Sequence, residues 1–331
     1  MQRSKLDDVY SLSTKLTSRE MLEKLKGRKE INKKMLLSLN NYIDPFTTRV
    51  DNNLITWRKE CPLCDSKNFR FLFVKHGFDH MICNSCDLIF TLQILDNSKI
   101  GHLEEGEEGA SYGQYKSLSS VGELDRMKFE IVFEQLNKFS KIKNIFDFGS
   151  QIGTFLDWCK EKYSIIGHEY HKPLRMIAEK KGHIVRDDNL ETIELDHEID
   201  LITCWDYVDH VLNPRSVINN LSKYLKKGGL FFFAINNRDS LSARMMHKNS
   251  PIFIGPHHTM HYGINQLNRL MKGFNLVHSE SYVSELNWLS NWLNFDNPEL
   301  GDSKLMHELL DSKKICELGM GFKVNAIYQK I

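Results

Sequence analysis

The 331-residue chain is 41% hydrophobic and 26% charged, an ordinary globular composition in a chain too long for one small domain. Its 44 Lys and Arg nearly cancel its 43 Asp and Glu, so no bulk field holds a polyanion and extended nucleic-acid binding is disfavoured. The longest apolar run, "GGLFFFAI", falls far short of the roughly 20 residues that span a bilayer. "MQRSKLDDVYSLSTK" has no apolar signal core, so a cytoplasmic protein without a membrane span is expected.

Residues 1–57 form the first unit, polar and lysine-rich with helical spacing. Ser18 can cap "REMLEKLKGRKEINKKMLLSLNNYI", and Pro45 ends the pattern. Solvated helices packed on the body are expected, and a partner-binding arm is the other reading of the same charged face. In the second unit, 58–95, Cys61, Cys64, Cys83 and Cys86 form two C-x2-C turns separated by eighteen residues. Each turn presents two thiolates on one side, so together they complete a tetrahedral zinc site. Four thiolates fill the coordination sphere and leave no open position, which makes the expected ion structural. Such an ion is worth roughly 10–16 kcal/mol, enough to fold a module with almost no core. Cys159, Cys204 and Cys316 lie apart from the pattern and read as buried, inert side chains.

Residues 96–122, with "HLEEGEEGASYGQYKSLSS", lack periodicity and read as a linker or lid loop; Tyr112 and Tyr115 there could cover an acceptor or simply pack. In the last unit, 123–331, helix and strand patterns alternate down to Gly229, which predicts a parallel, doubly wound sheet. "NLVHSESYVSEL" and "GFKVNAIYQK" then read as strands with no crossover helix pattern immediately before the last, so that strand is expected to close the sheet antiparallel.

Within this unit "IKNIFDF" is a short apolar strand, Gly149 and Gly153 follow it, and "TFLDWCKEKY" begins a helix. A glycine turn entering a helix offers backbone N–H groups to a ligand. The next strand, "SIIGHEY", ends with Glu169 some twenty residues after the turn, where a carboxylate can accept both hydroxyls of a ribose.

On these residues the chain, from about Glu60 to Ile331, resembles class I S-adenosylmethionine-dependent methyltransferases, and more narrowly those with an N-terminal zinc ribbon that methylate sugars of glycans or natural products. The resemblance implies a Rossmann-like seven-stranded sheet with an antiparallel last strand, S-adenosylmethionine as cofactor, and a structural Zn2+. It implies that Asp147, Gly149 and Gly153 surround the methionine part, that Glu169 holds the ribose, and that Asp187 or Asp188 of "VRDDNLETI" meets the adenine amine. By the same resemblance Asp206 is expected to border the cofactor site. Asp209-His210 stands where the family often has Glu-His, and His258 of "GPHHTMHY" occupies the family's histidine position. Gln151 replaces the middle glycine of the turn, and Asn236 stands where proline often follows the fifth strand. A residue other than glycine at positive φ costs on the order of 1–3 kcal/mol.

Displacement at a sulfonium has a good leaving group, so the protein must align donor and acceptor and take the proton of a hydroxyl acceptor. Asp206, His210, His257, His258 and His261 are the candidates, with His258 as base and His210 assisting. The expected partner is a small-molecule or sugar acceptor, a nucleotide sugar or a surface glycan. Two other readings stay open: a binding or scaffold protein whose cofactor turn has decayed, which the retained Gly149, Gly153 and Glu169 argue against, and a zinc-ribbon RNA methyltransferase, which the acidic "HLEEGEEG" disfavours.

Overall fold

The computed structural model describes residues 42–96, 119–255, 258–282 and 309–331, together with residues 5, 6, 37 and 40. Most of the N-terminal extension, the stretch with Tyr112 and Tyr115, and His257 lie outside the described residues. Of the extension, Leu6 is buried and Lys5 pairs with Glu134 at 2.8 Å.

The cysteine region is built from β1 (Ile55–Trp57), β2 (Phe69–Lys75), β3 (Phe78–Cys83), β4 (Ile89–Thr91) and β5 (Gln93–Leu95). A tight turn at His76 and Gly77, φ 50° and 80°, joins β2 to β3 as a hairpin; positive φ at both central residues matches the twist of the strands. β4 adds to β3, while β1 and β5 pair separately.

After α1 (Ser119–Leu136) come β6 (Asn144–Phe148), α2 (Thr154–Cys159), β7 (Ser164–His168), α3 (Lys172–Lys180), β8 (Val185–Arg186), β9 (Ile199–Trp205), α4 (Pro214–Tyr224), β10 (Leu225–Asn236), α5 (Leu241–Met246), β11 (Met260–His261), α6 (Ile264–Leu270), β12 (Phe274–Tyr282), α7 (Ser312–Glu317) and β13 (Lys323–Lys330). Seven strands form one sheet in the order β12-β13-β10-β9-β6-β7-β8. β6 to β10 run parallel, and β13 inserts antiparallel between β10 and β12, as the tail pattern predicted. A short helix, α7, capped by the Asp311 side chain, does precede β13; it links antiparallel strands and so is not a crossover.

The uninterrupted apolar run of β10 reflects burial on both faces. Leu230, Phe232 and Ala234 pack with Phe129, Val132, Phe133 and Leu136 of α1 and with Phe155 of α2. The alternate residues Phe231, Phe233 and Ile235 meet α4 and α6 on the other face, in one cluster with Leu63, Leu88 and Phe90 of the cysteine region. The expectation of a ribbon with almost no core is therefore corrected. Its apolar side chains, each worth about 1.5–3 kcal/mol when fully buried, complete the core beneath the large sheet.

Candidate active site and metal centre

The two cysteine turns are near copies. In each, the residue after the second cysteine is an aspartate in the left-handed region, Asp65 at φ 56° and Asp87 at φ 57°, whose amide donates to the carbonyl of the first cysteine at 2.9 Å. Asp tolerates that conformation better than most side chains, and the sequence places one after each C-x2-C turn. All four sulfur atoms lie within 4.8 Å of one another, and Cys61 to Cys86 and Cys64 to Cys83 are each 3.5 Å. A tetrahedral ion with bonds of about 2.3 Å needs sulfur separations of roughly 3.8 Å, so the cluster fits zinc. The bond from Cys86 pulls Cys61 down to about 5, and the same contact pushes Cys86 up. Burial pushes Cys64 up to about 11.

The glycine turn sits at the carboxyl ends of the parallel strands. Gly149 has φ 87°, and a Cβ added there would come within 2.4 Å of the Tyr207 ring, so only glycine fits. Gly149 and Ser150 donate their amides to the His168 carbonyl at 2.8 and 2.9 Å, stitching the turn to β7. Gln151 does adopt positive φ, at 52°. Its amide donates to Glu169 Oε2 at 2.9 Å while the His171 amide donates to Oε1 at 2.8 Å, so the carboxylate is fixed by two backbone groups at the mouth of the turn. Burial pushes Glu169 up to about 7. Gly153, φ 77°, begins α2 and lies against Ala178 and His183.

The remaining cofactor candidates are spread around this turn. Asp147 is buried beneath it, accepts a hydrogen bond from the Thr203 hydroxyl at 2.6 Å, and is pushed by burial up to about 7. Asp188 is exposed and pairs with Arg186 at 2.6 Å, its carbonyl meeting His168 Nε2 at 2.8 Å; Asp187 pairs with Arg175 at 2.8 Å. Asp206, at φ 54°, pairs with Lys323 at 2.6 Å, and Lys323 lies opposite Asn236 across β13 and β10. Lys323 had no sequence signal, since only sheet pairing brings it to that edge.

His258 and His210 lie together, their rings 4.7 Å apart between centroids. Asp209 joins them. Its Oδ2 is bonded to His258 Nδ1, and its other oxygen lies 3.7 Å from His210 Nε2 without a hydrogen bond. Burial would push this carboxyl up, but the His258 and His210 imidazoles and the bond from His258 hold it well below the usual carboxylate range. Desolvation lowers His210 to about 4 despite Asp209 beside it. His210 stacks on Tyr207, centroids 5.6 Å apart at 18°, so one aromatic side chain touches the cofactor-type turn on one side and the histidine pair on the other. His261 instead points to the ribbon and stacks on His80 at 5.5 Å. The ligand atoms of Asp209, His210 and His258 lie within 4.8 Å of one another, a carboxylate-and-imidazole set that could also hold a divalent cation.

The sheet order, with its antiparallel β13 and glycine turn after β6, defines a class I methyltransferase fold. Residues 124–280, just under half of the chain, match the family described as "Methyltransferase domain". A ubiquinone biosynthesis O-methyltransferase of Erwinia tasmaniensis is 42% identical over 45 residues, 14% of this chain and 18% of that protein. One of Neisseria meningitidis is 28% identical over 72 residues, 22% of this chain and 30% of that protein. The chain thus spans less than a third of the length of the curated relatives it matches. Among solved structures, a possible histamine N-methyltransferase of Thermotoga maritima is 18% identical with a TM-score of 0.46, over 67% of this chain and 97% of that one.

Proposed function

We propose that this chain transfers the methyl group of S-adenosylmethionine to a hydroxyl of a small-molecule or sugar acceptor. The observation that carries the reading is Tyr207, which joins the glycine turn to the histidine pair and so sets a proton acceptor beside the cofactor cradle. The residues fit the cofactor: the turn packs Gly149 directly against Tyr207, and the buried Glu169 carboxylate keeps lone pairs for ribose hydroxyls beyond its two backbone donors. Asp147, Gly153, Asp188 and Asp206 complete the proposed cofactor surround. When bound, the sulfonium supplies a methyl carbon whose bond to sulfur breaks as the new bond to oxygen forms.

The chain's own task is the proton. Asp209 holds the Nδ1 proton of His258, which leaves Nε2 as the lone pair that takes the hydroxyl proton. His210, neutral beside it, assists by packing and orientation. The four cysteines hold a structural zinc, and the N-terminal extension serves either as packing or as an arm for a protein partner. The curated relatives are O-methyltransferases of ubiquinone biosynthesis, which favours oxygen as the methylated atom.

The test is incubation of the purified chain with labelled S-adenosylmethionine and, separately, hydroxylated quinone precursors, nucleotide sugars, glycans and RNA. Label in a small-molecule or sugar fraction supports the reading. Label only in RNA overturns the acceptor class, and no cofactor binding at all makes the chain a scaffold.

A further inference from the structure

The segment that carries His258 is anchored to the ribbon. β11 has a single strand neighbour among the described residues, β4 of the ribbon, with Met260 opposite Phe90 and His261 opposite Ile89. The Thr91 amide extends the ladder by donating to the Thr259 carbonyl at 2.9 Å. Past β11, the buried Gln266 spans the gap to the metal cluster. Its Oε1 accepts from the Gly263 amide at 3.1 Å, and its Nε2 donates to the carbonyl of Cys86 at 3.0 Å. His80 of β3 stacks on His261, and Met260 and Tyr262 share a core cluster with Cys61, Cys83 and Cys86. On its other side the segment meets the site directly, because the Thr259 amide donates to the Asp209 carbonyl at 3.0 Å.

We infer that the ribbon positions His258: through β4, β11 and Gln266, the tetrathiolate cluster sets where the base stands and leaves cofactor affinity alone. The inference rests on the reading of His258 as the base. The ion would bond both cysteine turns to one centre, so its loss frees the Cys83–Cys86 turn to open, takes the Cys86 carbonyl from Gln266, and loosens β4. Among the described residues this two-residue strand has no other ladder to hold it. The cofactor turn is bonded to His168 and Glu169 and shares none of these links. A misplacement of about 1 Å in a reacting group costs on the order of 100-fold in rate, which makes Gln266 a positioning residue rather than a packing one.

Hydrogen–deuterium exchange on the full chain tests this, comparing zinc-loaded protein, chelator-stripped protein and zinc-loaded Gln266→Glu. The glutamate keeps an oxygen for Gly263 but cannot donate to Cys86. The expected result is exchange at 259–262 at least about tenfold faster in both altered forms, with 145–171 unchanged. S-adenosylhomocysteine affinity should stay within about twofold by calorimetry, and turnover should fall about 10- to 100-fold. Unchanged exchange at 259–262 overturns the inference, and so does equal loss of protection in both segments, which would make the ribbon a general stabiliser. If Gln266→Glu does not fold, the stripped protein decides alone. If exchange responds as expected while His258→Ala keeps full turnover, the anchoring holds and the base assignment falls.

Discussion

Asp209 Oδ2 is hydrogen-bonded to Nδ1 of His258, forty-nine residues away in the chain, and this bond orients the imidazole beside His210. A carboxylate in that place fixes the tautomer and steadies the charge that the ring gains when it takes a proton.

His258→Ala and Asp209→Asn should each lower turnover by about 100- to 10,000-fold, with S-adenosylhomocysteine affinity nearly unchanged. Because the two act as a unit, the double variant should lose little more than either single one. His210→Ala should cost less, since its ring is neutral and has no hydrogen bond to Asp209. Steady-state kinetics with the identified acceptor checks all three; additive losses would mean that the residues act separately.

Much of this site was legible before the fold was known, and the part that was not has a physical reason. The strand, glycine turn and helix around Gly149 carry a local signal, because φ of 87° and 77° at Gly149 and Gly153 restricts residue type. The paired C-x2-C turns do the same for the proposed metal centre. Asp209 was visible only as a neighbour of His210, since its partner comes from another segment. β11, two residues long, has no periodicity to read, and neither it nor Gln266 pointed to the ribbon until the strands were paired.

Asp147 gives a pH prediction. Burial raises its folded pKa to about 7 from an ordinary value of about 3.9, so the native state binds a proton that the unfolded chain releases between those values. The stabilisation from that proton is full below about pH 4 and is lost as the pH rises through about 7. Asp147→Asn, which keeps an acceptor for Thr203, should therefore raise unfolding stability at pH 8 by about 2–4 kcal/mol and by almost nothing at pH 4. Urea titrations at the two pH values measure this; an equal effect at both would show that the carboxyl is not the titrating group.

For the metal centre, elemental analysis should return about one zinc per chain, and none in the Cys64→Ser, Cys83→Ser double variant. Because the ribbon shares the core beneath the large sheet, removing zinc should lower the melting temperature of the whole chain and not release a separate small transition. Two resolved calorimetric transitions would contradict a shared core.

Gln151 sits at φ 52°, where a side chain is strained, yet its amide is one of the two that hold Glu169. The backbone bond does not depend on the side chain, so Gln151→Gly should keep Glu169 in place and relieve strain on the order of 1 kcal/mol, offset in part by the entropy glycine loses on folding. Cofactor affinity should be equal to or tighter than in the parent. Glu169→Ala removes the proposed ribose acceptor and leaves the Gln151 and His171 amides without a partner, so it should weaken binding by about tenfold or more. Titration calorimetry with S-adenosylhomocysteine separates the outcomes. Weaker binding in Gln151→Gly would show that the glutamine side chain itself contacts the cofactor, while equal binding in Glu169→Ala would mean that the cofactor is held elsewhere.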